Sequence, residues 1–365
     1  MKKYKASICF VSLTDIYALP YLPKYINLIK TAPFDIIYWN RYGEVQECGA
    51  LHHYRMDYTI SRTNKVQKFI GYIKFKNFTE KILRKNDYEK VILLSGNVAV
   101  LLSEVLGRKY IKKYLIDIRD YFKENNKRYF KAEEKVIDNC ALAVISSEGY
   151  KAFLPKHDYI LAHNAPDIDV ATREKIRVSI RYRRANRGNS PIVLSFIGGV
   201  RFLEQDKRIL KYFGNDKRFQ IRYIGIGANN LSQYVERQEF SNVYLHDKFP
   251  PEKTLDYFSS TDAIINLYGS GTPLLDHALS NKLYYAALLT VPILVCPETF
   301  MSKISKEYNF GFDIDLNDPV IKDEFYLWYN NVDESKLVNG CDEFILKYNK
   351  EEEIFNNSIS QWLNN

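Results

Sequence analysis

One pattern recurs along the chain: a short apolar run, then a longer stretch of mixed polar and apolar residues. In the first half the runs are ASICFVSL, FDIIYW (34–39), KVILLS (90–95), KYLIDI (113–118), ALAVIS (141–146) and DYILAH (158–163). A strand that is apolar at every position has no face for water and must be covered on both sides. Stretches between the runs, such as FKENNKRYFKAEEKVIDNC (122–140), mix acids and bases with apolar positions at helical spacing. Strands alternating with helices indicate a parallel sheet with helices on both faces. The expected class is α/β and doubly wound.

The rhythm breaks once. Residues 163–191, HNAPDIDVATREKIRVSIRYRRANRGNSP, show little apolar periodicity and end in turn formers, which reads as an interdomain connection. The pattern then resumes with PIVLSFIG (191–198), FQIRYIGIG (219–227), NVYL (242–245), DAIINL (262–267), VPILVC (291–296) and FGFDID (310–315). A chain of 365 residues fits two domains better than one. The expected layout is a Rossmann-like domain over 1–165, a linker over 166–190 and a second Rossmann-like domain over 191–345. The stretch from about 333 to 365 reads as helical. Ligands of such sheets bind at the carboxyl ends of the strands.

The net charge of +8 favours an acidic partner: a nucleotide, a lipid phosphate, an anionic membrane surface or a nucleic acid. No nucleic-acid-binding module is recognisable, so that partner is not expected. The five cysteines are scattered, a reduced, cytosolic pattern without a zinc site. His52 and His53 are adjacent, the other histidines are isolated, and no metal-ligand spacing occurs. The two D-x-D triplets, 167–169 and 313–315, fall in the linker and at a strand end, and no metal is expected. The start, MKKYKASICFVSLTD, imitates a signal peptide, but its eight-residue apolar run (Ala6–Leu13) ends without a small-residue cleavage site and reads as a first strand. No apolar run reaches the ~18 residues of a membrane span.

Three segments of the second half carry chemistry suited to phosphate. SFIGGVRFLEQDKRIL is a strand, a turn at Gly198 and Gly199, and a helix, with Arg201 and Lys207 as candidate cations. Glycines let the backbone approach a ligand, and helix starts offer free N–H groups to anions. YIGIGANNLSQYV repeats the device with Gly225 and Gly227. LSNKLYYAALLTVPILV opens a mostly apolar helix with Ser280, Asn281 and Lys282; a cap needs the serine alone, and the lysine suits an anion held at the positive end. Each segment also reads as an ordinary strand–helix turn.

Together, GGVR, GIG, NVYLHDKFPPEKTLDYFSSTDAIINL and LSNKLYYAALLTVPILV, in this order and spacing, resemble the C-terminal half of GT-B glycosyltransferases. The similarity is strongest to bacterial capsule and exopolysaccharide enzymes of the large retaining family four, and it extends into YLIDIRDYF and AVISSEGY of the first half. The resemblance implies two Rossmann-like domains about a central cleft and a last helix, about 346–365, that packs back on the first domain. It implies a nucleotide-sugar donor in the C-terminal domain, a UDP-sugar ahead of a GDP-sugar, with His246 in the strand whose following loop meets the base. It further implies a glycan or lipid-linked oligosaccharide acceptor on the N-terminal side and a hexosyl transfer without a metal at the cytoplasmic face of the membrane. The chain departs from the pattern at Tyr285, where the family usually has an acid that contacts the ribose, and at Asp276–His277, where a second acid is displaced by one position. These departures leave two alternatives: a non-catalytic relative that binds glycan or a partner enzyme, and a GT-B type nucleotide-sugar epimerase.

Asp117, Arg119 and Asp120, in DIRD at the end of a predicted central strand, are the catalytic candidates. Related enzymes carry a His or Asp here at the reacting sugar. The alternative is a structural Asp–Arg pair. Residues 64–86 place Val66, Phe69, Ile70, Ile73, Phe78, Ile82 and Leu83 at helical spacing among lysines, which suits either an anionic membrane surface or a core-facing helix. The arginines of 173–187 add to the same charge.

Overall fold

The computed structural model describes residues 5–365 except 31, 42, 44, 45 and 60–63. The chain forms two compact units, Met1–His163 with Lys350–Asn365, and Asn164–Asn349. Each is built on one sheet. The first unit contains β1 (Ile8–Ser12), β2 (Phe34–Asn40), β3 (His52–Asp57), β4 (Lys90–Leu93), β5 (Tyr114–Ile118), β6 (Leu142–Ile145) and β7 (Tyr159–Leu161). They lie in the order β3-β2-β1-β4-β5-β6-β7, every pair parallel. The second unit contains β8 (Ile192–Ile197), β9 (Phe219–Ile224), β10 (Val243–His246), β11 (Ala263–Asn266), β12 (Ile293–Val295) and β13 (Gly311–Asp313). Their order is β10-β9-β8-β11-β12-β13, again parallel.

Both sheets follow from the apolar runs. β1 and β2 are buried at every position, as a doubly covered strand requires. In each sheet the chain winds outward from the first strand, then returns to that strand's other side. This sets a topological switch point between β1 and β4, and another between β8 and β11. Loops leave in opposite directions there and open a crevice at the carboxyl ends.

Two elements depart from the sequence expectation. β3 (HHYRMD) is a largely exposed edge strand, so no apolar run announces it. Residues 163–191, expected as a connection, hold a helix, Val170–Ala185, inside the second unit. Its one fully buried apolar residue is Ile180, with Ile176 partly buried against the same core, and polar bonds add to this. Arg177 donates to the carbonyls of Ala287 and Leu288 and to Asp342, and Arg183 to the carbonyls of Ser259 and Thr261 and to Asp262. The final helix, Glu334–Asn364, contributes to both units. Leu337, Cys341, Phe344 and Tyr348 enter the core of the second, and Phe355, Ile359 and Trp362 that of the first. Glu352 accepts from Lys24 Nζ at 2.8 Å, and Glu351 meets His163 Nε2 at 2.7 Å.

Candidate functional site

The carboxyl end of the second sheet is stitched together by its loops. The Gly198 amide donates to Ile224 O at 2.8 Å and Val200 N to Ile226 O at 2.9 Å. Gly225 N donates to His246 O at 2.8 Å, and Gly227 N to Asp247 Oδ1 at 2.8 Å. Gly198 and Gly225 adopt φ of 134° and 137°. A Cβ on Gly225 would lie 2.1 Å from the Gly198 carbonyl oxygen, so no larger residue fits this crossing. The helix Leu203–Phe213 then starts from Phe202 without a side-chain cap, with Glu204 and Asp206 in its first turn at the positive dipole end. Arg201 is exposed beside this start and has no hydrogen bond or ion pair among the described residues.

Lys282 comes up from below. Ser280 caps its helix by accepting from Lys282 N, Asn281 is exposed, and the Lys282 side chain turns inward to 3% exposure. Its Nζ donates to the Tyr268 hydroxyl at 2.6 Å, sits 4.4 Å from the Phe196 ring centroid, and faces Gly198. Charge and aromatic faces together hold a buried ammonium. Asp206, also buried, feels the Lys282 charge. Burial nevertheless pushes its carboxyl up to about 6, against the pull of Tyr223 and Lys282. Tyr268, Asp206 and Asp247 escaped sequence reasoning because each sits singly in a loop or helix without a motif.

The other donor candidates divide. His246 lies beside Tyr244, nearly parallel to it, and against a tilted Tyr257 at the end of β10, its carbonyl held by Gly225. Tyr285 stacks on Phe258 at 4.3 Å, half-buried, with burial raising its hydroxyl; the ring occupies the place expected of an acid. Asp276 accepts from Gly271 N at 2.7 Å, and together with His277 it lines a separate cavity of about 500 Å³. Lys207 pairs with Glu204 at 2.7 Å, and no contact brings it to the Gly198 turn. It lies one residue, about 100° of helix rotation, past Asp206, the residue that faces Lys282.

In the first unit a cavity of about 420 Å³ opens at the β1–β4 switch point, lined by Tyr21, Arg41, Lys68, Tyr72, Asp120 and Glu124 among others. Of the three catalytic candidates only Asp120 is exposed there. Asp117 is 0% exposed and accepts from Arg119 Nε at 2.8 Å and Nη2 at 2.9 Å, and from the Tyr25 hydroxyl at 2.8 Å. Arg119 further donates to Ala162 O and lies 4.1 Å from the Tyr21 ring centroid. Alternate residues of a strand share a side, so Asp117 and Arg119 meet in a buried ion pair, with Arg119 also reaching the cavity lining. Behind the cavity Glu133 is fully buried, and burial raises its carboxyl to about 8.

No protein-family profile and no curated protein matches this sequence. The fold has many counterparts among solved structures. Sucrose-phosphate synthase from Thermosynechococcus elongatus superposes with a TM-score of 0.65 at 9% identity, covering 99% of this chain and 94% of its own. Anabaena HepE, solved in complex with UDP and glucose, superposes at 0.59 with 9% identity over 92% of both chains. WaaG, a glycosyltransferase involved in lipopolysaccharide biosynthesis, superposes at 0.59 with 11% identity, over 92% of this chain and 95% of its own. Two parallel-sheet Rossmann-like units and these matches define the fold as GT-B.

Proposed function

We propose that the protein is a glycosyltransferase of the hexosyl type. It takes a sugar from a nucleoside-diphosphate donor, UDP ahead of GDP, and passes it to a lipid-linked surface glycan with retention of configuration. The observation that carries this reading is the buried Lys282 ammonium beneath the Gly198 turn, beside an uncapped helix start and Arg201, which has no ion pair among the described residues. As the sugar leaves, the diphosphate gains negative charge, and preorganised cations and amides stabilise that charge. The cradle supplies its own positive charge, which supports a reaction without a metal. Asp120, which lines the first-unit cavity, is the group we assign to orienting the acceptor hydroxyl.

The helix Lys65–Lys85 supports work at an anionic membrane. Its Gly71 and Phe75 side packs on Trp39. Val66, Phe69, Ile70 and Ile73, at i, i+3, i+4 and i+7, are 67%, 65%, 40% and 45% exposed. Lys65, Lys68, Lys74 and Lys76 surround this stripe, and within the helix the first acid is Glu80, which pairs with Lys76. Apolar side chains framed by lysines suit the interface of an anionic bilayer. Lys68 and Tyr72 of the same helix line the cavity that holds Asp120, so a lipid-linked acceptor and its enzyme meet at one surface.

Tyr285 favours the second reading, a non-catalytic relative, because it removes the ribose-binding acid. A thermal-shift panel of UDP, GDP, ADP, TDP and CMP separates the two. A ligand at about 100 times its dissociation constant adds roughly 2.7 kcal/mol to folding. A shift with one nucleoside diphosphate supports the transferase, and no shift from a folded sample supports the relative without a donor.

A further inference from the structure

The arginines of 173–187 do not act as one patch. Arg173, Arg177 and Arg183 are engaged by Glu174, Asp342 and Asp262. Three others, Arg181, Arg184 and Arg187, recur every three residues along one helix and its end. They converge on a cavity of about 410 Å³ that Tyr329, Asn330 and Glu334 complete. Arg184 pairs with Glu334 and donates to Thr290 O at 2.8 Å; Arg187 donates to Ser190 O and Asn330 Oδ1. Arg181 is exposed and has no partner among the described residues. Three guanidinium groups face one carboxylate, so the lining carries three positive charges less one negative, a net of two.

Among the described residues no hydrogen-bond geometry is met at Arg184 Nε or the Tyr329 hydroxyl, although the two side chains lie close enough for the Arg184 charge to pull the hydroxyl down; Tyr329 is only 2% exposed. Burial holds the Tyr329 hydroxyl up at about 12, so it is a neutral donor at pH 7. Crowded like charges around a small concavity are what an oxyanion would resolve. Guanidinium groups match phosphate oxygens in geometry as well as charge.

We infer that this cavity is a binding site for the dianionic phosphate of a small phosphate monoester. Arg181 donates to its oxygens, and Arg184 and Arg187, held in place by Glu334, Thr290 O, Ser190 O and Asn330, contribute charge. All of its residues lie in the second unit, and none belongs to the Gly198–Lys282 cradle. A bound phosphate ties the helix Val170–Ala185 to the turn before the final helix, so occupancy acts as an effector on this unit and not as substrate.

The test is calorimetric titration of the full chain with inorganic phosphate and with glycerol 3-phosphate, in chloride buffer at constant ionic strength. One saturable site is expected. Arg181→Gln, an exposed change that leaves the fold intact, weakens it at least ten-fold; Lys282→Met leaves it within two-fold. Absence of binding to the folded wild type overturns the inference. So does binding that survives Arg181→Gln, or binding lost in Lys282→Met, which would place the anion at the Gly198 turn. UDP affinity, measured in the same variants, follows Lys282 and not Arg181, so this proposal and the glycosyltransferase reading fail separately.

Discussion

Replacing Gly225 by alanine tests whether the donor cradle depends on the crossing of two loops. At φ 137° an L-residue is strained, a cost of about 1–3 kcal/mol. The new Cβ would also stand 2.1 Å from the Gly198 carbonyl oxygen, and forced overpacking costs typically another ~1–3 kcal/mol. The sum is about 2–6 kcal/mol, a large part of the ~5–15 kcal/mol that holds a domain folded. Gly271 is the control: its φ is 88°, but its Cβ would meet nothing within 4 Å, so Gly271→Ala carries only the ~1–2 kcal/mol of left-handed backbone. Urea unfolding of both variants, with UDP titration alongside, measures the difference. Gly225→Ala should fall below Gly271→Ala by about 1–3 kcal/mol, the overpacking cost, and weaken UDP binding where Gly271→Ala does not. Equal stability of the two variants would refute the packing argument, and unchanged UDP affinity would remove the Gly198–Gly225 crossing from the site.

Further outcomes follow from the same geometry. Asp206, raised to about 6 in the folded protein, holds its proton there after the unfolded chain has released it. Its contribution is therefore greatest below pH ~4 and declines as pH rises to ~6; Asp206→Asn flattens that decline in pH-resolved urea melts and gains about 2–3 kcal/mol at pH 7. Asp117→Asn strips Arg119 of its buried partner and destabilises by about 3–5 kcal/mol, whereas exposed Asp120→Asn changes stability by under ~0.5 kcal/mol and lowers transfer to acceptor; denaturation and product assays together separate the roles. Phe69→Gln with Ile73→Gln leaves the melting temperature in place but reduces co-sedimentation with vesicles containing anionic phospholipid, since both side chains are exposed.

What the sequence conceals depends on how each element is held. The central strands are legible because burial on both faces forces apolar residues along them, as in FDIIYW and KVILLS. β3 has little to bury and shows no such run. The helix Val170–Ala185 is fastened by guanidinium bonds to carbonyls about 76 to 111 residues away, which leave no periodicity to read. At the site, the capping serine was legible as local chemistry. The inward course of Lys282 was not, because Phe196 and Tyr268, which receive it, come from β8 and from the loop after β11. The fate of Asp117 likewise turns on Tyr25, 92 residues away.

The most direct test of the central claim is calorimetric titration of UDP into wild type, Lys282→Met and Lys207→Met. A charge-assisted contact is worth about 1.5–3 kcal/mol, so loss of the buried ammonium should weaken UDP by roughly 10- to 150-fold. Lys207, paired with Glu204 away from the Gly198 turn, should change it by less than about two-fold. UDP affinity that survives Lys282→Met, or that falls with Lys207→Met instead, would contradict the placement of the donor phosphates at Lys282.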